Sequence, residues 1–161
     1  MLRGNGLMMN VVELLQLEDV IPALSAKTKA EVLGELAAKV VAHHPELEFD
    51  DVLKILLERE MLGSTGIGDG IAIPHGKFNK LEQPLVVFGR SETGVDFNAL
   101  DGRKVFLFFL LLAPDGADGL HLKMLARISR ILKDPAVRRE LLAVPDAAAI
   151  VEILREQDDR Y

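Results

Sequence analysis

Nine consecutive apolar residues, Val105-Phe106-Leu107-Phe108-Phe109-Leu110-Leu111-Leu112-Ala113, constrain the fold of this chain more than any other feature. The run is too short to cross a bilayer as a helix. It lacks the alternation of a half-exposed strand, in which every second side chain meets water. It therefore predicts a central strand over 105–112, buried on both faces. Such a strand needs a layer above it and a layer below it. The flanking sequence supplies helices for both, which makes the expected fold a layered α/β domain.

The helices announce themselves by caps and stripes. Thr28-Lys29-Ala30-Glu31 has the spacing of a capping box, in which the Thr28 hydroxyl and the Glu31 carboxylate cover backbone donors reciprocally. Val32, Leu33, Leu36, Val40 and Val41 follow as one apolar stripe, with Pro45 beyond the end. A second helix is expected from about Asp50 to Met61, with Val52, Leu53, Leu56 and Leu57 facing inward and Gly63 as its stop. Ile71-Ala72-Ile73 is a short apolar segment, and Leu85-Val86-Val87-Phe88 is a strand candidate. Beyond the central strand, Asp118 is expected to cap a helix over 119–133. Asp134-Pro135 suits another helix start, and Asp146 is placed to cap 147–156. No repeat or linker divides the chain, so residues 10–157 read as a single domain and 1–9 as a loose start.

Composition narrows the function. A hydrophobic fraction of 49% with 27% charged residues describes a folded globule. There is no cysteine, which excludes disulfides and thiolate–metal sites. With 19 basic against 25 acidic residues and no basic run beyond the pairs Arg103-Lys104 and Arg138-Arg139, a nucleic-acid partner is not expected. The first residues, Met1-Leu2-Arg3-Gly4-Asn5-Gly6, lack the pattern of a signal peptide, so the expected location is the cytoplasm, without membrane insertion.

The densest chemical signal is Gly63-Ser64-Thr65-Gly66-Ile67-Gly68-Asp69-Gly70-Ile71-Ala72-Ile73-Pro74-His75-Gly76-Lys77. Its five glycines, four before Pro74 and one at 76, permit turns that side chains would block, and its N–H groups and the Ser64 and Thr65 hydroxyls suit an anion. It is not a nucleotide loop of the familiar kinds. A P-loop ending at Gly76-Lys77 would need glycine at 71 and a hydroxyl residue at 78, where Ile71 and Phe78 stand. A G-x-G-x-x-G pattern from Gly66 or Gly68 would need glycine at 71 or 73. His75, between a proline that fixes its approach and a glycine that leaves room beside the ring, reads as an imidazole reached by a large partner. Neutral imidazole is a competent nucleophile toward phosphorus near neutral pH.

The run Arg59-Glu60-Met61-Leu62-Gly63-Ser64-Thr65-Gly66-Ile67-Gly68-Asp69-Gly70-Ile71-Ala72-Ile73-Pro74-His75-Gly76-Lys77 resembles the enzyme IIA domain of the bacterial phosphoenolpyruvate-dependent sugar phosphotransferase system. Within that family it is most similar to the fructose/mannitol branch, above all to its nitrogen-regulatory members, and the similarity extends over about residues 12–155. The resemblance implies a sandwich of helices around a mixed β-sheet. It also implies that His75 accepts a phosphoryl group from a histidine-containing phosphocarrier protein. Arg59 and His121 match family residues that surround the phosphohistidine.

Those roles make physical sense. Arg59 offers a guanidinium fork to phosphoryl oxygens, although a solvated arginine at a helix end is an open alternative. His121, in the first turn of its helix, would be kept neutral by the positive helix end and donate one N–H; a surface-capping histidine is its alternative. His43 and His44 read as partners of the last carbonyls of the first helix, since no metal-ligand spacing supports a zinc site from His43, His44, His75 and a carboxylate. Lys77 is left outside the site. Phe78, Phe97 and Met124 are candidates for an apolar rim. No cofactor and no metal are expected. Two outlets remain for the phosphoryl group: a regulatory role, or transfer to an enzyme IIB for fructose or mannitol uptake. The chain is expected to stand alone, without fused IIB or membrane IIC segments, and carries the Gly-Ser-Thr-Gly-Ile-Gly stretch, which resembles the regulatory branch; both favour regulation.

Overall fold

Strand β6, Val105–Ala113, forms the axis of a six-stranded mixed sheet. The computed structural model describes residues 11–160, so the expected loose start over 1–9 lies outside it. On one side of β6 runs β5, Leu85–Val95, antiparallel and in register from Leu85↔Leu112 to Arg90↔Leu107. On the other side two short strands lie parallel to it. These are β3, Ile71–Ala72, opposite Leu107 and Phe108, and β4, His75–Lys77, opposite Leu111 to Ala113. The edges are β1, Val20–Ile21, parallel to β5, and β2, Gly66–Gly68, antiparallel to β3. The helices are α1 (Lys29–His43), α2 (Phe49–Met61), α3 (Asp118–Leu132), α4 (Pro135–Ala143) and α5 (Ala147–Asp158).

Alternate side chains of β6 enter two separate cores, as a doubly covered strand requires. Phe108, Leu110 and Leu112 pack with Val32, Leu33, Leu36 and Val40 of α1 and with Val52 and Leu56 of α2. Leu107, Phe109 and Leu111 pack with Met124, Ile128 and Ile131 of α3 and with Leu141 and Leu154 of the last two helices. Cutting one of these side chains back to alanine costs about 2–5 kcal/mol. Among the described residues no helix is long and apolar enough to cross a membrane.

Local expectations fare unevenly. The Thr28 hydroxyl accepts the Glu31 N–H, but Glu31 reaches back to the N–H of Lys27, one residue before the cap. Leu57 is not an inward residue of α2; it is among the exposed large apolar side chains, because it falls off the Val52–Leu56 stripe. Asp118 does not cap α3. The cap position is Ala117, with no side-chain bond, and Asp118 is the first helical residue, drawn instead to Lys77 at 2.6 Å. Asp134 and Asp146 do cap their helices, through the N–H groups of Ala136 and Ala149. Strand β5 runs well past Phe88 because it buries Arg90. That side chain donates to the carbonyls of Pro22, Leu141 and Val144 and clamps the end of α4 to the sheet.

Candidate functional site

His75 opens β4, with its backbone fixed by the ladder to Leu111 and by the Leu111 N–H bonded to the Pro74 carbonyl at 2.9 Å. The segment His75–Lys77 is thus a strand and not the end of a loop, a pairing too short to leave an alternating pattern in the sequence. Gly76 lets this strand lie against α2, where a Cβ would overlap Ile55 Cγ2. From the last turn of α2, Arg59 extends to the ring, and from the first turn of α3, His121 approaches it as well. The two imidazole centroids are 5.4 Å apart, tilted by 56°. The structure thus brings together the three residues that the sequence nominates.

The hydrogen bonds assign the His75 tautomer. Its Nδ1 lies 2.7 Å from the Ile73 carbonyl oxygen, which only accepts, so Nδ1 carries the proton. Arg59 Nε, which only donates, lies 3.3 Å from Nε2, so Nε2 holds the lone pair. Burial is the largest influence on this imidazole and lowers its pKa below the ordinary value. The Ile73 carbonyl opposes that, Arg59 adds to it, and Glu60 opposes it. His121 is also shifted down, first by its own burial and then by His75 and Lys77, against Asp118. Both rings are therefore neutral near pH 7. Nδ1 of His121 is buried without a hydrogen-bond partner among the described residues.

His75 and Arg59 stand between two hollows. One, about 390 Å³, is shared with Ile55, Glu58, Leu62, Gly76, Lys77 and His121; the other, about 290 Å³, with Ser64, Thr65, Ile67, Ile73 and the Leu125–Ser129 side of α3. Glu60 is a residue the sequence reading missed. Its carboxylate, 5% exposed, takes the N–H and hydroxyl of Thr65 and an ion pair with Lys29 at 2.8 Å. Adjacency to Arg59 was its only signal.

The family model described as "Phosphoenolpyruvate-dependent sugar phosphotransferase system, EIIA 2" matches residues 13–157. This chain belongs to that family. Its EIIA domain is 45% identical over 146 residues to a nitrogen regulatory protein of Bradyrhizobium diazoefficiens, across 91% of this chain and 95% of that one. It is 35% identical over 150 residues to the fructose-specific EIIABC component of Bacillus subtilis, across 93% of this chain but 24% of that longer protein. Among solved structures, Nitrogen Regulatory Protein IIA-Ntr from Neisseria meningitidis superposes with a TM-score of 0.84 at 33% identity, covering 89% of this chain and 98% of that one. EIIA domains are phosphotransferase components, and this one is a phosphocarrier domain of the same family.

Several expectations about the EIIA site need correcting. The hydroxyls of its glycine-rich segment are not free for an anion: Ser64 donates to the Phe97 carbonyl and Thr65 to Glu60. The N–H groups of Thr65, Gly66 and Asp69 are likewise taken up by Glu60, Ser64 Oγ and Asp101. Phe78, Phe97 and Met124 are core residues and form no rim. The exposed apolar side chains on the helix segments beside the site are Met61 and Leu62 at the end of α2 and Leu122 next to His121, at 84%, 83% and 65% exposure. His43 turns to Asp19, Nδ1 to Oδ1 at 2.5 Å, and does not meet the helix carbonyls. The potential ligand cluster there is Asp19, His43 and His44, without His75.

Proposed function

We propose that this EIIA domain is a cytoplasmic phosphocarrier that takes a phosphoryl group onto Nε2 of His75 from a histidine-containing phosphocarrier protein, and that its role is regulatory. The observation that carries the reading is the pairing of Nδ1–H with the Ile73 carbonyl while Arg59 sits at Nε2. It presents one lone pair, with the correct tautomer, beneath a guanidinium.

In the transfer, the His75 Nε2–P bond forms as the donor's N–P bond breaks in line, and the freed donor nitrogen keeps its electron pair. Nδ1 keeps its proton throughout. Arg59 leaves Nε2 as phosphorus arrives and pairs with phosphoryl oxygens, so its charge follows the charge of the group being moved. Neutral His121 contributes an N–H. A buried nitrogen without a partner is tolerated better as a lone pair than as an N–H, so the His121 proton belongs on Nε2, where it can reach a phosphoryl oxygen. Histidine-to-histidine transfer needs no cofactor. The exposed Met61, Leu62 and Leu122 suit a protein donor, which must cover the site to exclude water.

Higher identity to a nitrogen regulatory protein than to the fructose component favours regulation. The alternative is onward transfer to an enzyme IIB for fructose or mannitol. It has support in the fructose relative and in the solved complex of enzyme IIA mannitol with phosphorylated enzyme IIB mannitol from Escherichia coli. Incubation with phosphoenolpyruvate and the general phosphotransferase proteins, read by intact-mass spectrometry, tests the core claim. The expected result is one phosphoryl group, acid-labile and base-stable, absent from a folded His75→Ala variant. Wild-type uptake by that variant overturns the assignment. Rapid discharge by a fructose or mannitol enzyme IIB decides for transport.

A further inference from the structure

A chain of hydrogen bonds runs from Glu60 to the His75 ring. The Glu60 carboxylate accepts the Thr65 N–H at 3.2 Å to each oxygen and also accepts the Thr65 hydroxyl. The Thr65 carbonyl accepts the Ile73 N–H at 3.0 Å, and the Ile73 carbonyl accepts Nδ1–H of His75 at 2.7 Å. The same turn of α2 carries Arg59, whose Nη1 donates to the Gly63 carbonyl at 2.9 Å while its Nε meets His75. One nearly buried carboxylate thus anchors a loop that holds both the imidazole and the guanidinium.

The linkage is mechanical. The N–H and C=O of Thr65 belong to different peptide planes separated by a Cα, and the same is true of Ile73, so the chain transmits position and not charge. Ring orientation matters here because the wrong tautomer would put a proton where the new bond must form. We propose that Glu60 is a positioning residue for phosphoryl transfer, holding the Thr65 and Ile73 backbone in the place that keeps Nε2 of His75 unprotonated and aimed at the donor. The proposal rests on the reading of His75 as the phosphoryl acceptor.

Two variants separate reach from charge. Glu60→Gln keeps an acceptor at the right distance from Thr65 but loses the charge. Glu60→Asp keeps the charge and a partner for Lys29 but falls one methylene short of Thr65. Phosphorylation of the full chain by the phosphorylated donor carrier is followed by rapid quench over a range of donor concentrations, and long-range ¹H–¹⁵N spectra report the His75 tautomer without any phosphate present. The expected result is that Glu60→Asp is slowed on the order of 10- to 100-fold at saturating donor with KM unchanged, since the docking surface is intact. Its spectrum becomes a mixture of tautomers, while Glu60→Gln stays within a few-fold of wild type in the Nδ1–H form. Rates that follow charge, with Asp fast and Gln slow, overturn the proposal. So does a Glu60→Asp spectrum identical to wild type. If the wild-type chain takes up no phosphate, the acceptor reading fails on its own, and the tautomer spectra still decide whether Glu60 orients the ring.

Discussion

At the level of single residues, the proposed transfer gives the site three roles that a motif cannot distinguish. His75 is poised by an acceptor on one nitrogen and a donor on the other, Arg59 by the Gly63 carbonyl, and His121 by burial at a helix start. An ammonium at position 59 would be a point charge without the fork that bridges Nε2 and the Gly63 carbonyl. Arg59→Lys is therefore expected to slow uptake on the order of 100-fold, as loss of an oriented donor does; single-turnover transfer measures it, and a wild-type rate reduces Arg59 to a structural residue. His121 makes no bond to phosphorus in this scheme. His121→Ala should still become phosphorylated on His75 but release the group 100- to 1000-fold more slowly, about 3–4 kcal/mol of barrier. His121→Gln should recover part of that, because its amide still donates. Peptide mapping that finds the phosphate on His121 would reverse the two histidines' roles.

At the level of elements, the strong signals in the sequence are those that repeat. The β6 run and the stripes of α1 and α2 recur over many residues, so one ambiguous position, such as Leu57, does not hide them. Strands β2 and β4 have three residues each and pair only because β3 and β6 offer them an edge, so no alternating pattern betrays them, whereas the two-residue β3 shows in the sequence as the short apolar segment Ile71-Ala72-Ile73. The candidacy of His75 was legible because proline and glycine flank it. The contribution of Glu60 was not, since a glutamate in a helix reads as solvated until Lys29 and Thr65 are seen around it. Gly76 ties these scales together. Alanine there would push β4 away from Ile55, a β-branched side chain with little rotamer freedom. The variant should lose about 1–3 kcal/mol of stability from overpacking. Its larger effect is on transfer: a shift of His75 relative to Arg59 by about 1 Å costs on the order of 100-fold. Urea unfolding together with the transfer assay checks both; wild-type transfer in a destabilised Gly76→Ala would mean that the strand–helix contact serves the fold alone.

For the molecule as a whole, the site's chemistry carries a linkage to global stability. His75 and His121 both have pKa values lowered in the folded state, burial being the first cause in each. On unfolding both rings return to the ordinary histidine value of about 6.5. Between that value and the lower folded values, the unfolded chain binds more protons than the native one, so stability rises with pH across that window. The stabilisation is complete above the unfolded value and is lost as pH falls below it. Each ring that is fully neutral when folded and fully charged when unfolded contributes a slope of about 1.4 kcal/mol per pH unit. The lowered carboxyl groups of Asp101 and Asp118 act in a more acidic range and leave this window clear. The double variant His75→Gln with His121→Gln keeps the size and polarity of both side chains but cannot titrate. Urea midpoints compared at pH 7.5 and 5.5 should fall markedly for the wild-type chain and much less for the double variant. Equal falls in the two proteins would show that the acid sensitivity arises elsewhere, and that the two imidazoles are not held neutral by the fold.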